Sequence, residues 1–174
     1  MDARLSQLLA QQQAARFAGL SGSEGRATIR IAGPVLNDAA RIFVASAATP
    51  AVADVTITPH AANRIGVRLK LAKPAFLPSL NLTLQIERQP QLPESPELIL
   101  RMSGVGGMMR LAGPAISSFG ALPPGVRLEG DRMILDLRAI LQTQGKGELL
   151  DFAEQLQVLS EEGTVVLLVQ LRVP

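Results

Sequence analysis

The chain has no cysteine, tryptophan or tyrosine, and its 174 residues include only five phenylalanines and one histidine, His60. Without cysteine it forms no disulfide and carries no thiol chemistry. A lone histidine, with no second histidine and no cysteine to share a metal ion, is more typical of an exposed turn than of a metal site. We therefore predict neither a metal site nor a cofactor.

The chain also lacks a large excess of charge of either sign. The chain carries 17 Lys and Arg against 15 Asp and Glu, for a net charge of +2. This balance attracts a polyanion only weakly, and an aromatic content of 3% leaves no platform on which nucleic-acid bases would stack. We predict that the protein does not bind nucleic acid.

Long apolar runs are missing as well. No stretch reaches the roughly 18 consecutive apolar residues of a membrane span, and residues 1–13 lack the basic and apolar regions of a secretory signal. The sequence as given therefore predicts a soluble protein that is located in the cytoplasm.

The sequence has no catalytic motif. No serine lies in a nucleophile-elbow context, and the glycines of Gly104-Val105-Gly106-Gly107 are followed by Met108 and Met109 instead of the Lys and Ser or Thr of a phosphate-binding loop. The acidic residues fall in predicted turns or on the polar faces of predicted strands, where solvated carboxylates are the ordinary finding. We predict that the protein is not an enzyme and has no catalytic residue.

The sequence does contain a regular alternation of apolar and polar residues. Between Ala53 and Met102, four runs place apolar residues at every second position. They are Ala53, Val55 and Ile57; Ile65, Val67, Leu69 and Leu71; Leu80, Leu82, Leu84 and Ile86; and Leu98, Leu100 and Met102. Because successive side chains of a strand point to opposite faces, these runs predict an antiparallel sheet with one dry face and one wet face.

Three helices are predicted around this sheet. Residues 35–47 repeat apolar side chains at three- and four-residue steps directly after Gly33-Pro34, so we expect this helix to cover the dry face. Residues 1–20 are predicted to form an N-terminal helix that docks on the body or makes a dimer. A further helix is expected near residues 138–154.

Shorter alternating runs predict the remaining strands. One strand is expected from Ala27 to Ile31, and two hairpins turn at Gly130-Asp131 and at residues 161–163. The last strand has apolar residues on both faces, which indicates that it is covered on both sides, with the N-terminal helix as one cover. The predicted fold class is α+β: a strongly curved antiparallel sheet of about nine strands, wrapped around one long helix, in a single lipid-binding-like domain over residues 26–174.

This pattern resembles the tubular lipid-binding superfamily, which includes the synaptotagmin-like lipid-transfer domains. The resemblance covers the helix of residues 35–47, the alternating runs that follow it, and the closing hairpin from Leu156 to Val173. Proteins of this group hold acyl chains in an apolar tube and usually occur in the envelope or at membranes. The resemblance implies a lipid or fatty acyl ligand and a peripheral contact with a membrane.

The residues lead to the same function by a separate argument. Small aliphatic side chains leave volume unfilled where aromatic rings would reach across, and each methylene that a ligand buries there contributes about 0.8 kcal/mol. We therefore expect non-catalytic binding of a lipid or another apolar ligand, extending to lipid transfer. The predicted lining is Leu36, Phe43, Val67, Leu69, Leu82, Leu84, Leu100 and Met102, with Met108 and Met109 at the mouth.

Two alternatives stay open. The segment from Ser103 to Pro124, which contains several glycines and prolines, either lines or gates a pocket mouth, dips into a membrane, or is a buried crossover at one end of the sheet. The whole protein is alternatively a scaffold with a filled core and no ligand. Such a scaffold would form a homodimer through the N-terminal helix or an open sheet edge, or would bind a protein partner.

Overall fold

The structure is a computed structural model that describes residues 21–46, 52–72, 79–104 and 124–173, except for the side chains at positions 43, 46 and 71. These residues form nine strands and three short helices. The strands are β1 (Glu24–Ala32), β2 (Val52–His60), β3 (Arg64–Leu71), β4 (Leu80–Arg88), β5 (Glu97–Ser103), β6 (Val126–Glu129), β7 (Arg132–Asp136), β8 (Ala153–Glu161) and β9 (Thr164–Arg172). The helices are α1 (Gly33–Ser46), α2 (Leu137–Gln142) and a 3₁₀ helix (Gly147–Phe152).

The strands pair antiparallel, as the alternation predicted, but they form two sheets. One sheet has three strands in the order β1-β9-β8, and the other has six in the order β2-β3-β4-β5-β7-β6. The predicted α+β fold, with one strongly curved sheet wrapped around a long helix, is therefore wrong. Neither sheet of the described residues is curled, and α1 has only 14 residues and packs mainly against β2.

The division into two sheets arises where the chain passes through helices. After β1 the chain enters α1 and continues in the six-stranded sheet, and after β7 it passes through α2 and the 3₁₀ helix before it returns in β8. β1 pairs along its whole length with β9, near the other end of the chain. Alternation shows which side chains share a face, but it does not show which strands are neighbours, and for this reason the pattern missed the long-range pair.

The helix predicted near residues 138–154 is divided into two short helices, α2 and the 3₁₀ helix, and it does not extend to Ala153. α2 begins after Asp136, whose carboxylate accepts a hydrogen bond from the N–H of Ala139 at 3.0 Å, and ends at Gln142. The chain then turns through Gly145, which has a φ of 68°. Ala153 and Leu156, expected in the helix, lie in β8, because antiparallel pairing with β9 overrides the local helix preference.

One face of the six-stranded sheet is lined by apolar side chains. The register places Val67 opposite Leu82 and Leu84 opposite Met102. We call this surface the aliphatic face; its members are Val55, Ile57, Ile65, Val67, Leu69, Leu80, Leu82, Leu84, Ile86, Leu98, Leu100, Met102, Leu128, Met133 and Leu135. Its centre packs against the three-stranded sheet in one buried cluster, which comprises Leu84, Leu98, Leu100, Met102, Val158 and Val165. Full burial of each such side chain contributes about 1.5–3 kcal/mol.

The start of β9 is covered on both faces, as the sequence predicted for the whole strand, whereas its end is exposed at Leu171 and Arg172. Val165 and Val166 are neighbours and so point to opposite faces, yet they are only 7% and 2% exposed. The N-terminal helix that was predicted as one cover, at residues 1–20, lies outside the described residues, as does most of the segment at residues 103–124.

Two amide side chains join the sheets along the outer edge of β8. The side chain of Gln89 donates from Nε2 to the carbonyl oxygen of Val158 at 2.8 Å and accepts from the Val158 N–H at 2.9 Å. Asn63 accepts from the N–H of Ser160 at Oδ1, 3.0 Å away, and its own N–H donates to the Ser160 carbonyl at 3.3 Å. We call Asn63 and Gln89 the amide cap, because they satisfy backbone groups that β9 does not reach.

Candidate functional site

The structure describes the side chains of seven residues that were predicted to bind lipid. They are Leu36, Val67, Leu69, Leu82, Leu84, Leu100 and Met102. All except Leu36 lie on the aliphatic face, and Leu36 packs from α1 against the buried cluster. The side chain of Phe43 and the residues Met108 and Met109 lie outside the described part of the chain.

These seven residues divide into two groups by exposure. Leu82, Leu84, Leu100 and Met102 are between 4% and 7% exposed, so they belong to the filled interior. Leu36, Val67 and Leu69 are half-buried. A ligand approaching the aliphatic face therefore meets the β3 residues before it meets those of β4 and β5.

A cavity of about 320 Å³, open to solvent on one side, lies beside this half-buried part, between the C-terminal half of α1 and the start of β2. Its lining comprises Arg41, Val44 and Ala45 of the helix and Val52, Ala53, Asp54 and Val55 of the strand. None of the seven predicted residues is part of that lining. Val55 connects the two regions, because it lines the cavity and also lies on the aliphatic face opposite Leu69.

The cavity lies where the regular pairing of β2 is interrupted. The register with β3 shifts between Val52 and Asp54, which marks a bulge. Sequence reasoning treated Ala53 to Ile57 as a plain strand and missed the lining. A signal was present, because Val52 and Val55 are three residues apart and two apolar residues at that spacing do not share a face of a regular strand.

The cavity is lined by one cation, Arg41, and one carboxylate, Asp54, and exposed apolar side chains of α1 lie on the same helix. Arg41 donates to the carboxylate of Asp38 at 2.8 Å, and both side chains are more than half exposed. Its neighbour Ile42 is 71% exposed, and Val35, seven residues earlier on the same side of α1, is 57% exposed. The outer side of the helix therefore exposes two apolar side chains, Val35 and Ile42, together with the charged pair of Asp38 and Arg41.

The opposite face of the six-stranded sheet is closed by ion pairs. Four arginines and four acidic residues pair across β4 to β7: Arg88, Arg101, Arg127 and Arg132 with Glu87, Glu97, Glu129 and Asp131. The hydrogen bond from Arg132, followed by that from Arg101, lowers the pKa of the Glu87 carboxyl from 4.5 to about 2. Because opposite charges are matched across β4 to β7, this part of the face offers little net attraction to a charged partner.

An apolar pair lies among these ion pairs. Ile99 and Ile134 are register partners on the polar face, and they are 9% and 4% exposed. The register sets Arg88 beside Ile99 and Arg127 beside Ile134. Arginine stems bury along apolar surface while their charged ends stay in water, so we regard this face as structural.

Two searches of the described residues gave negative results. No group of three or more His, Cys, Asp or Glu side chains in that part of the chain is arranged to hold a metal ion. No helix among the described residues has the length and apolar character that crossing a membrane requires.

Comparison with known proteins found no family model that matches the chain, no similar curated protein and no similar solved structure.

Proposed function

We propose that the protein binds a hydrocarbon chain of a lipid, or another apolar ligand, in the cavity between α1 and β2. The observation that supports this proposal best is the position of Val55, which connects the cavity lining with the half-buried end of the aliphatic face. A volume of about 320 Å³ lies at the lower end of the range for ligand pockets, about 300–1,000 Å³. Like the tubular lipid-binding proteins that the sequence resembles, the protein would hold the hydrocarbon against aliphatic side chains, but it would do so without a tube.

In this proposal Arg41 binds the polar end of the ligand. A guanidinium binds a carboxylate or phosphate through two parallel hydrogen bonds, and Arg41 reaches the ligand by exchanging its exposed partner Asp38. Val44, Ala45 and Val52 then contact the hydrocarbon. The ligand class is therefore an amphiphile with one acidic group and one acyl chain.

The exposed side of α1 supports loading from a membrane. Val35 and Ile42 form an apolar stripe next to the cavity, and a transient contact of this stripe with a lipid surface brings Arg41 to the level of the headgroups. The contact is peripheral and involves no spanning segment. A cytoplasmic location, expected from the sequence, is consistent with this role and stays a prediction.

The test has two parts. Organic extraction of the purified protein, followed by mass spectrometry, should yield a fatty acid or phospholipid. In a titration with a fluorescent fatty acid, Ala45→Trp fills the cavity and should weaken binding about tenfold, since the loss of about two methylene contacts has that effect. Ala39→Trp is the matched control, because Ala39 is exposed on α1 and does not line the cavity.

The titration also separates the roles of chain and headgroup. Arg41→Gln should weaken binding of the fatty acid and leave that of the corresponding fatty alcohol unchanged. Empty extracts, together with equal affinities for Ala45→Trp and Ala39→Trp, would disprove lipid binding at this site.

One observation favours a second candidate function, that of a self-associating scaffold or a protein that binds a protein partner. The outer edge of β1 pairs with no strand among the described residues, whereas the outer edge of β8 is occupied by the amide cap.

A further inference from the structure

The outer edge of β1 presents a row of backbone N–H and carbonyl groups, and the register with β9 shows which residues they belong to. The N–H of Val173 donates to the carbonyl of Ser23 at 3.0 Å, and the N–H of Gly33 donates to the carbonyl of Gly163 at 2.9 Å. The register between these two points has no shift, and in an antiparallel ladder every second residue is hydrogen-bonded. The odd-numbered residues of β1 therefore face β9, and the even-numbered residues face outward.

Apart from its charged side chains, the strand has none of the features that protect an edge from pairing. All of its nine residues except Ile31 are exposed, it contains no proline, and its register has no bulge. Ile29, which is 47% exposed, is the largest apolar side chain that β1 leaves open to solvent. Long, flat edges of this kind are templates for another strand.

On one face of the three-stranded sheet, ion pairs hold an acidic side chain at one end of β1 and a basic side chain at the other end. At one end of β1, Glu24 accepts from Arg172 at 3.0 Å, and Arg172 lies 2.9 Å from Glu154. At the other end, Arg30 lies 2.7 Å from Glu161. Both Glu24 and Arg30 are even-numbered, so both belong to residues whose backbone groups face outward.

We propose that a second copy of the chain pairs antiparallel with β1, with Ala27 opposite the partner's Ala27. Glu24 then lies opposite the partner's Arg30, and Arg30 opposite the partner's Glu24. Acidic and basic side chains then alternate across the dimer interface, in the order Glu154, Arg172, Glu24, the partner's Arg30 and the partner's Glu161. On the other face Ile29 lies opposite the partner's Gly25, which leaves room for the larger side chain, so small and large residues complement each other.

Charge favours this register over the two registers centred on Thr28 and on Ile29. Only even-numbered residues point their backbone groups outward, so the alternative registers differ by whole steps of the ladder. Centring the pair on Thr28 sets Arg26 opposite the partner's Arg30, where like charges are destabilising. Centring it on Ile29 removes the pair between Glu24 and Arg30. The result is a two-fold dimer with a continuous sheet in the order β8-β9-β1-β1-β9-β8, and it is independent of lipid binding.

The lack of cysteine makes the register directly testable in the full chain. In a non-hydrogen-bonded antiparallel pair, opposite Cα atoms lie about 4.5 Å apart, within the range of about 4.4–6.8 Å that a disulfide spans. Ala27→Cys should therefore form a disulfide-linked dimer under mild oxidation. Thr28→Cys and Ile29→Cys, which would be linked in the two alternative registers, should stay unlinked.

A second variant tests the edge itself. Thr28→Pro removes an outward N–H and leaves the pairing with β9 intact, so it should sediment as a monomer with an unchanged circular dichroism spectrum. The wild type and the control Thr28→Val should sediment as dimers.

Three results would overturn the proposal: a monomeric wild type, a dimer in folded Thr28→Pro, or a disulfide in the Thr28→Cys or Ile29→Cys variant but not in Ala27→Cys. If Thr28→Pro does not fold, the three cysteine variants still decide. Lipid extraction is a separate readout, so failure of one proposal is distinguishable from failure of the other.

Discussion

The two edges of the three-stranded sheet differ in how their backbone groups are satisfied. Along β8, Gln89 and Asn63 of the other sheet bind the backbone of Val158 and Ser160 through four hydrogen bonds of 2.8–3.3 Å. Along β1, no strand of the described residues pairs with the outer edge. The same sheet is therefore anchored to the rest of the protein at one edge and open at the other.

This difference shows how a small sheet is held in place. Gln89 and Asn63 act as a substitute strand for β8, through three side-chain hydrogen bonds and one from the backbone N–H of Asn63. They fix the angle and register of the sheet against its neighbour, which the packing of aliphatic side chains alone would leave adjustable. They also protect β8 from pairing with another chain. Of the two edges of this sheet, β1 is the one that pairs with no strand among the described residues and carries no amide cap, so a partner strand would fit there.

The largest expected effect is a difference in stability between two substitutions, one at each edge of the three-stranded sheet, at positions that both pair with the same residue of β9. Val158 in β8 and Ile29 in β1 are both register partners of Leu167, but they are 7% and 47% exposed. Val158→Ala should lower the free energy of unfolding by about 2–3 kcal/mol, because it leaves a cavity in the core. Ile29→Ala should cost below about 1 kcal/mol. Urea unfolding measures the free energy of unfolding of both variants. Similar losses would show that the two edges do not differ in how much their side chains contribute to stability.

The next effect tests the amide cap. Gln89→Ala leaves the N–H and the carbonyl of Val158 without their partner, so we expect a loss of about 2 kcal/mol. Gln155→Ala is the control, because Gln155 lies in β8 with an exposed side chain, and its loss should stay within about 0.5 kcal/mol. A Gln89 variant as stable as the control would show that the cap does not hold the edge.

The smallest effect concerns charge and depends on pH. The folded state lowers the pKa of Glu87 from 4.5 to about 2, mainly through the hydrogen bond from Arg132, so this carboxylate stabilises the fold above pH 4.5. That stabilisation is lost as the pH falls from 4.5 toward 2. Glu87→Gln should therefore be less stable than the wild type at about pH 6, and the gap should narrow at about pH 3.

Glu24→Gln provides the comparison at the open edge. The ion pair of Glu24 with Arg172 is more than half exposed on both sides, so its loss should matter little at either pH. Unfolding by urea at the two pH values measures the gap for each variant. A gap for Glu87→Gln that is the same at both pH values would contradict the role assigned to its hydrogen bonds.

Strand positions and the dry face were predictable from sequence. The alternating runs at Ile65 to Leu71 and at Leu80 to Ile86 lie in β3 and β4, and the register places Ile65, Val67 and Leu69 on one face with Leu84, Leu82 and Leu80. The helix α1 begins at Gly33-Pro34, as the proline position predicted. Both results follow because periodicity and helix starts are local properties of the chain.

The candidate site was less predictable. Leu84, Leu100 and Met102 were expected to contact a ligand, but they are buried against Val158 and Val165 of the other sheet. The pattern of apolar residues does not distinguish a lining from a core, since both need the same side chains. The cavity depends on a bulge at the start of β2 and on how α1 ends there, and both are results of tertiary packing.

The order of amino acids was sufficient to locate most of the strands, apart from the start of β8, to identify the apolar side of the regular runs, and to show that no sequence motif for thiol, metal or phosphate chemistry is present. The division into two sheets, the pairing of β1 with β9 and the capped edge of β8 came from packing between distant segments. The physical reason is the range of the interactions. Side-chain periodicity is set within a few residues, whereas hydrogen-bond partners and filled volume depend on which distant surfaces meet.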